Sequence, residues 1–157
     1  MTNQELDNLV EELLDAPCWV IDVLPRRVPV DAGGQFASVE RFYLGPSRAD
    51  NVRGRIADVL LKLNCYYDFW AARDTLEGWA RNPSPRELAR WISLCVPARA
   101  AAVGRIMVIV EETEDSRALV TLNYDDMHVT VYHASDELLA LLRDLAAASG
   151  LFLWEGQ

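Results

Sequence analysis

"RALVTLNYDDMHVTVYH", residues 117–133, holds both histidines of the chain, and the fold turns on how it is read. Both flanks are rich in β-branched residues, and Asp125 and Asp126 between them are turn formers, so the stretch reads as a hairpin. A two-residue turn at the aspartates sets Tyr124 opposite Met127, Leu122 opposite Val129, Val120 opposite Val131 and Ala118 opposite His133. Directly opposed residues share a face, so these pairs make an apolar face that ends in His133. The other face receives Asn123 with His128, Thr121 with Thr130, and Leu119 with Tyr132. A one-residue slip would scramble this sorting, which argues for the register. His128 and His133, five residues apart on a strand, point to opposite faces and cannot chelate one metal together.

Working outward, "RIMVIVEE" (105–112) reads as a preceding strand, and the turn "TEDS" sets Glu112 opposite Arg117. That register places Ile106, Val108 and Val110 on the mixed face and Met107 and Ile109 on the apolar one. A strand apolar on both faces is expected in the centre of a sheet with packing on each side. Asn123, His128, Thr130 and Tyr132 are therefore candidate binding residues, lining a crevice if the mixed face is partly covered and a solvated surface if it is not.

The helices announce themselves by period. Leu6, Leu9, Val10, Leu13 and Leu14 form one stripe, and Val52, Ile56, Val59, Leu60 and Leu63 form another, with Ser47 or Asp50 as its expected cap. "SPRE" (84–87) combines a capping box with proline at the first helical position, ahead of Leu88, Trp91, Ile92 and Cys95. Ser135 is expected to cap a last helix carrying Leu138, Leu141, Leu142 and Leu145, and Gly150 to stop it. Residues 18–24, 36–44, 65–71 and 151–154 read as further strands, the first two as a long-looped hairpin, and a short helix is expected around "TLEGWAR" (75–81).

The fold class is therefore α+β, a largely antiparallel sheet with packed helices, in a single domain over 1–157. Segments 18–71 and 105–154 each read strand, strand, helix, strand, joined by a helical segment over 72–104. A diverged duplication explains this pattern, and so does the small menu of α+β units.

Net charge is −9, with 24 acids against 15 bases, and the acids concentrate toward both ends of the chain. Such a surface is unsuited to neutralising nucleic-acid phosphates or binding an anionic membrane. Cys18, Cys65 and Cys95 are widely spaced and odd in number, with neither zinc-ligand nor disulfide-framework spacing. The acidic, amphipathic beginning of the chain has no signal-peptide character, and no apolar run approaches a membrane span, so a cytoplasmic location is expected.

Catalytic signatures are missing. "DAGGQ" (31–35) is too short for a phosphate loop and precedes an expected strand; no G-x-S-x-G or H-E-x-x-H occurs; and the acids at 111–115 lack calcium-loop spacing. No cofactor is implied, and the balance leans away from an enzyme. Trp79, near Arg73, Arg81 and Arg86, is a candidate contact residue. Glu112, Glu114 and Asp115 are candidates for steering a basic partner. The leading expectation is a non-enzymatic acidic protein that binds another protein with a basic surface, as an inhibitor or immunity-type partner does. The alternative is a small-molecule-binding domain or enzyme whose site is lined by the face of 127–133.

Overall fold

The structure, a computed structural model, describes residues 1–31, 33–74, 78–97 and 103–157. In chain order the elements are α1 (Asn3–Leu13), β1 (Cys18–Asp22), α2 (Phe36–Tyr43), α3 (Ala49–Leu63), β2 (Phe69–Arg73), β3 (Ala80–Arg81), α4 (Pro85–Leu94), β4 (Arg105–Glu111), β5 (Arg117–Asn123), β6 (Val129–Tyr132), α5 (Asp136–Ala148) and β7 (Phe152–Glu155). The strands form one seven-stranded sheet in the order β3-β2-β4-β5-β6-β1-β7. Every pairing is antiparallel, so the fold is α+β with an antiparallel sheet.

The β5–β6 ladder has the register expected from the alternation: Leu119 opposite Tyr132, Val120 opposite Val131, and Thr121 opposite Thr130. The ladder ends before the turn, which is wider than two residues. Asp126 accepts a 2.7 Å hydrogen bond from Asn123 Nδ2, and the Tyr124 N–H donates to Gly104 O at 3.0 Å. Tyr124 is exposed while Met127 is buried, so the expected Tyr124–Met127 pair does not form a shared apolar face. His133 leaves the strand in left-handed backbone geometry (φ 56°), so it does not extend the apolar face either.

One register differs from expectation. Glu111, not Glu112, lies opposite Arg117. The N–H groups of Glu112 and Thr113 both donate to Ser116 O, and Thr113 Oγ1 accepts from the N–H groups of Asp115 and Ser116, closing a longer turn than "TEDS" alone. The single-residue shift exchanges the faces of β4. Ile106, Val108 and Val110 join Val120 and Leu122 on the apolar face, and Met107 and Ile109 lie beside Thr121 and Leu119 on the other. The strand is buried on both faces, as a central strand must be.

Packing follows. On the first face Val52, Ile56, Leu60 and Leu63 of α3, Leu88 and Ile92 of α4, and Leu138, Leu142 and Ala146 of α5 close over the sheet in the main core. Each valine, leucine and isoleucine among them contributes about 1.5–3 kcal/mol by leaving water. On the second face Leu6, Val10 and Leu13 of α1 cover Ala72, Met107, Ile109 and Leu119. On this face Tyr132 of β6 packs at the edge of the α1 cluster, and among the described residues the other side chains of β6, β1 and β7 facing this way belong to neither core cluster.

Local signals explain most ends. Ser84 and Glu87 form a reciprocal capping box with Pro85 in the first turn, and Ser135 caps α5 through the N–H of Leu138. Gly150 (φ 70°) follows α5 in the left-handed region that a Cβ disfavours. Two expected strands are corrected. Residues 36–43 are helical, and the strand expected at 65–71 runs instead over Phe69–Arg73. The cap of α3 is Arg48, without a side-chain bond, rather than Ser47 or Asp50. No hairpin joins 18–24 to 36–44; β1 lies between β6 and β7. Segment 18–71 therefore reads strand, helix, helix, strand, unlike 105–154. The helix expected around 75–81 lies in part outside the described residues, and Ala80–Arg81 is strand.

Candidate functional site

In antiparallel strands the β4–β5 and β5–β6 connections lie at opposite ends of the sheet. One concavity lies at the β4–β5 end and two adjoining ones lie on the sheet face over β6, β1 and β7, and most of the candidate residues divide between these two places.

At the β4–β5 end lies a groove of about 480 Å³, lined by Tyr66, Tyr67, Asp68, Glu111, Glu112, Thr113, Glu114 and Arg117. The turn that ends α3 delivers the tyrosines, and Tyr66 is 67% exposed. Asp68 and Glu111 both hold Arg81, at 3.0 Å each. Glu112 is anchored differently: it accepts from both the N–H and the hydroxyl of Ser135, tying the groove floor to the start of α5. Glu114 and Asp115 are exposed on the turn; Glu114 lines the groove, and Asp115 stands beside it in the chain. Burial, then the charges of Glu137 and Glu112, push the Tyr67 phenol above its ordinary pKa. The groove thus offers aromatic faces and carboxylates together, the combination that holds an arginine or lysine side chain.

On the strip of the second face over β6, β1 and β7 are two adjoining concavities. One, of about 430 Å³, is lined by His128, Thr130 and Tyr132 together with Cys18, Val20, Arg27 and Trp154. The other, of about 380 Å³, shares Arg27, His128 and Trp154 and adds Asp22, Val28, Pro29, Val30 and Phe36. Strand alternation puts Cys18, Val20 and Asp22 on this face, against Tyr132, Thr130 and Trp154. Trp154 Nε1 donates to Leu24 O at 3.1 Å, which fixes the ring against the loop after β1. His128 Nε2 lies 4.0 Å from Asp126 Oδ2.

Two candidates are structural. Asn123 accepts from Arg105 Nε at 2.9 Å and donates to Asp126, bracing the strand end rather than lining the strip. Trp79 is half-buried against α1, with its indole N–H on Asp7 at 2.9 Å and its backbone N–H on Asn3. The tryptophan that an arginine overlies is Trp91, 5.7 Å from Arg73 Cζ.

Tyr66, Arg27 and Trp154 were not among the candidates, and two buried charged residues also escaped the sequence reading. Asp22 is 6% exposed and lines the smaller cleft, with Oδ1 accepting the Leu24 N–H at 3.1 Å; burial pushes its carboxyl above the usual range. Its signal was a carboxylate inside an apolar strand, on the face shared with Cys18 and Val20. Arg53 is 1% exposed. It donates to Cys95 O at 2.8 Å and to Asn123 O and Tyr124 O at 3.3 and 3.2 Å, while Nη1 has no hydrogen-bond partner among the described residues. Its signal was its place beside Ile56, Ala57 and Leu60 at helical spacing.

Among the described residues no cluster of histidine, cysteine or acidic side chains has the geometry to hold a metal ion, and no helix is long and apolar enough to cross a membrane. The three cysteines are unpaired, and burial pushes the Cys95 thiol up to about 12. Comparison with models of protein families, with curated proteins and with solved structures finds no match.

Proposed function

We propose that this protein is a non-enzymatic, cytoplasmic binder of another protein with a basic surface, acting as an inhibitor or immunity-type partner does. The observation that carries the reading is the groove at the β4–β5 end. There Tyr66 is exposed and Glu114 lies in the same groove, with Glu112 held by Ser135 and Asp68 and Glu111 held by Arg81, and the lining itself contains one base, Arg117. Exposed aromatic rings anchor interfaces, and surrounding carboxylates select a cationic side chain and speed its approach. The net charge of −9 extends the same bias over the whole surface.

The test separates groove from fold. Glu112 is a poor site to alter because it holds Ser135, whereas Tyr66 and Glu114 are exposed. A pull-down from the native cell extract at low salt compares wild type with a Tyr66→Ala, Glu114→Lys variant, with captured proteins identified by mass spectrometry. A basic protein retained by wild type and lost by the variant, at unchanged melting temperature, is the expected result. Equal retention by both contradicts the assignment of the groove.

A further inference from the structure

The smaller cleft beside β1 joins opposite chemistries in one space, away from the acidic groove. Its innermost polar group is the Asp22 carboxyl, 6% exposed, which accepts the Leu24 N–H on Oδ1 at 3.1 Å and is also faced by the Val23 N–H. Two bases line the same cleft: half-buried His128 and exposed Arg27. Neither forms an ion pair with Asp22 among the described residues. Arg27 bonds Gln157, and the carboxylate nearest His128 is that of Asp126. The rings of Trp154 and Phe36 line the same cleft. A buried carboxylate with backbone donors but no ion-paired cation is costly, so a ligand cation or N–H donor placed on it is favourable. Apolar walls with a few convergent polar groups are the usual make-up of a small-molecule site.

We propose that this cleft binds a small amphoteric organic molecule, with an amine or N–H edge on Asp22, an apolar or aromatic body against Trp154 and Phe36, and an anionic group at Arg27 and His128. Exposure orders the contacts: the cationic end enters first and the anionic end stays at the mouth. The same chemistry is offered by free amino acids and by nucleoside monophosphates, and the cavity of about 380 Å³, continuous in its lining with the larger one, admits either class.

The experiment uses the full chain. Thermal shift and titration calorimetry are run with the common L-amino acids in one arm and the nucleoside monophosphates in the other; indole-3-acetate, which has ring and carboxylate but no amine, serves as the control. At least one compound in one arm is expected to raise the melting temperature, and which arm responds names the source. Asp22→Asn is expected to weaken that compound at least tenfold. Arg27→Gln, at an exposed position that leaves folding intact, is also expected to weaken it. Silence in both arms overturns the proposal. So does binding undiminished in both variants, or indole-3-acetate binding as tightly as the amine-bearing compounds. None of these outcomes bears on the Tyr66 groove.

Discussion

Arg53 sits in the main core, where three backbone carbonyls take its protons: Cys95 at the end of α4, and Asn123 and Tyr124 at the end of β5. One side chain thereby fastens α3 to two neighbours at points where regular hydrogen bonding stops. Burial holds its guanidinium below the ordinary arginine pKa. Truncation strands those carbonyls in a dry site at about 1–3 kcal/mol for each left unsatisfied, so Arg53→Ala should lower unfolding stability by roughly 3–5 kcal/mol in urea titrations. Arg53→Lys should not restore it, because an ammonium on one flexible stem cannot reproduce the fork. Asp22 makes the opposite case. Burial raises its pKa first of all; the Leu24 N–H, His128 and the Val23 N–H pull it back, Asp126 pushes it further, and Glu40 faces it from α2. A carboxyl with a raised folded-state pKa favours the fold while protonated, and that contribution is lost as pH rises through the folded value. Asp22→Asn should therefore melt above wild type at pH 7, with the gap closing as pH falls below about 4, the unfolded carboxylate value. Wild type melting higher at pH 7 would contradict this.

The elements were legible where local chemistry repeats global demand. Ser84 and Glu87 cap each other's backbone, and Pro85 suits a position with no hydrogen bond to lose, so "SPRE" announced α4 without any tertiary information. Ser84→Ala should destabilise by about 1 kcal/mol, and Ser84→Asp, which also accepts at the cap, should recover most of that in the same denaturation assay. The β5–β6 register was legible because one face is apolar and the other is not. Residues 36–43 were not: Phe36, Val39 and Phe42 look like strand residues, yet α2 buries none of them, so no core pattern exposed its period. The β4 faces were misassigned for a different reason. A strand apolar on both sides carries no internal mark of register, and only the turn fixes it; here the turn uses Ser116 O twice, a feature of backbone geometry rather than of residue type. The site was half legible. His128, Thr130 and Tyr132 do line one concavity, but Arg27 and Trp154 reach it from the loop after β1 and from β7, and Asp22 of β1 lines the adjoining cleft, which alternation within a hairpin cannot foresee.

Across the whole molecule, the antiparallel sheet separates two surfaces. The β4–β5 end presents tyrosines among carboxylates, and the strip over β6, β1 and β7 presents a cleft of mixed charge. The net charge of −9 sets a negative field over both, and recognition of a basic protein at the tyrosine-bearing end is the central claim. Association steered by exposed charge depends on ionic strength, because the screening length is about 8 Å at physiological salt. The decisive measurement is the association rate of the captured partner with wild type and with a Glu114→Lys, Asp115→Lys variant across a salt series. The account predicts a wild-type rate that falls by roughly tenfold or more toward high salt, a variant that starts slower with a shallower salt slope, and dissociation rates that differ little. An association rate indifferent both to salt and to the charge reversal would contradict it.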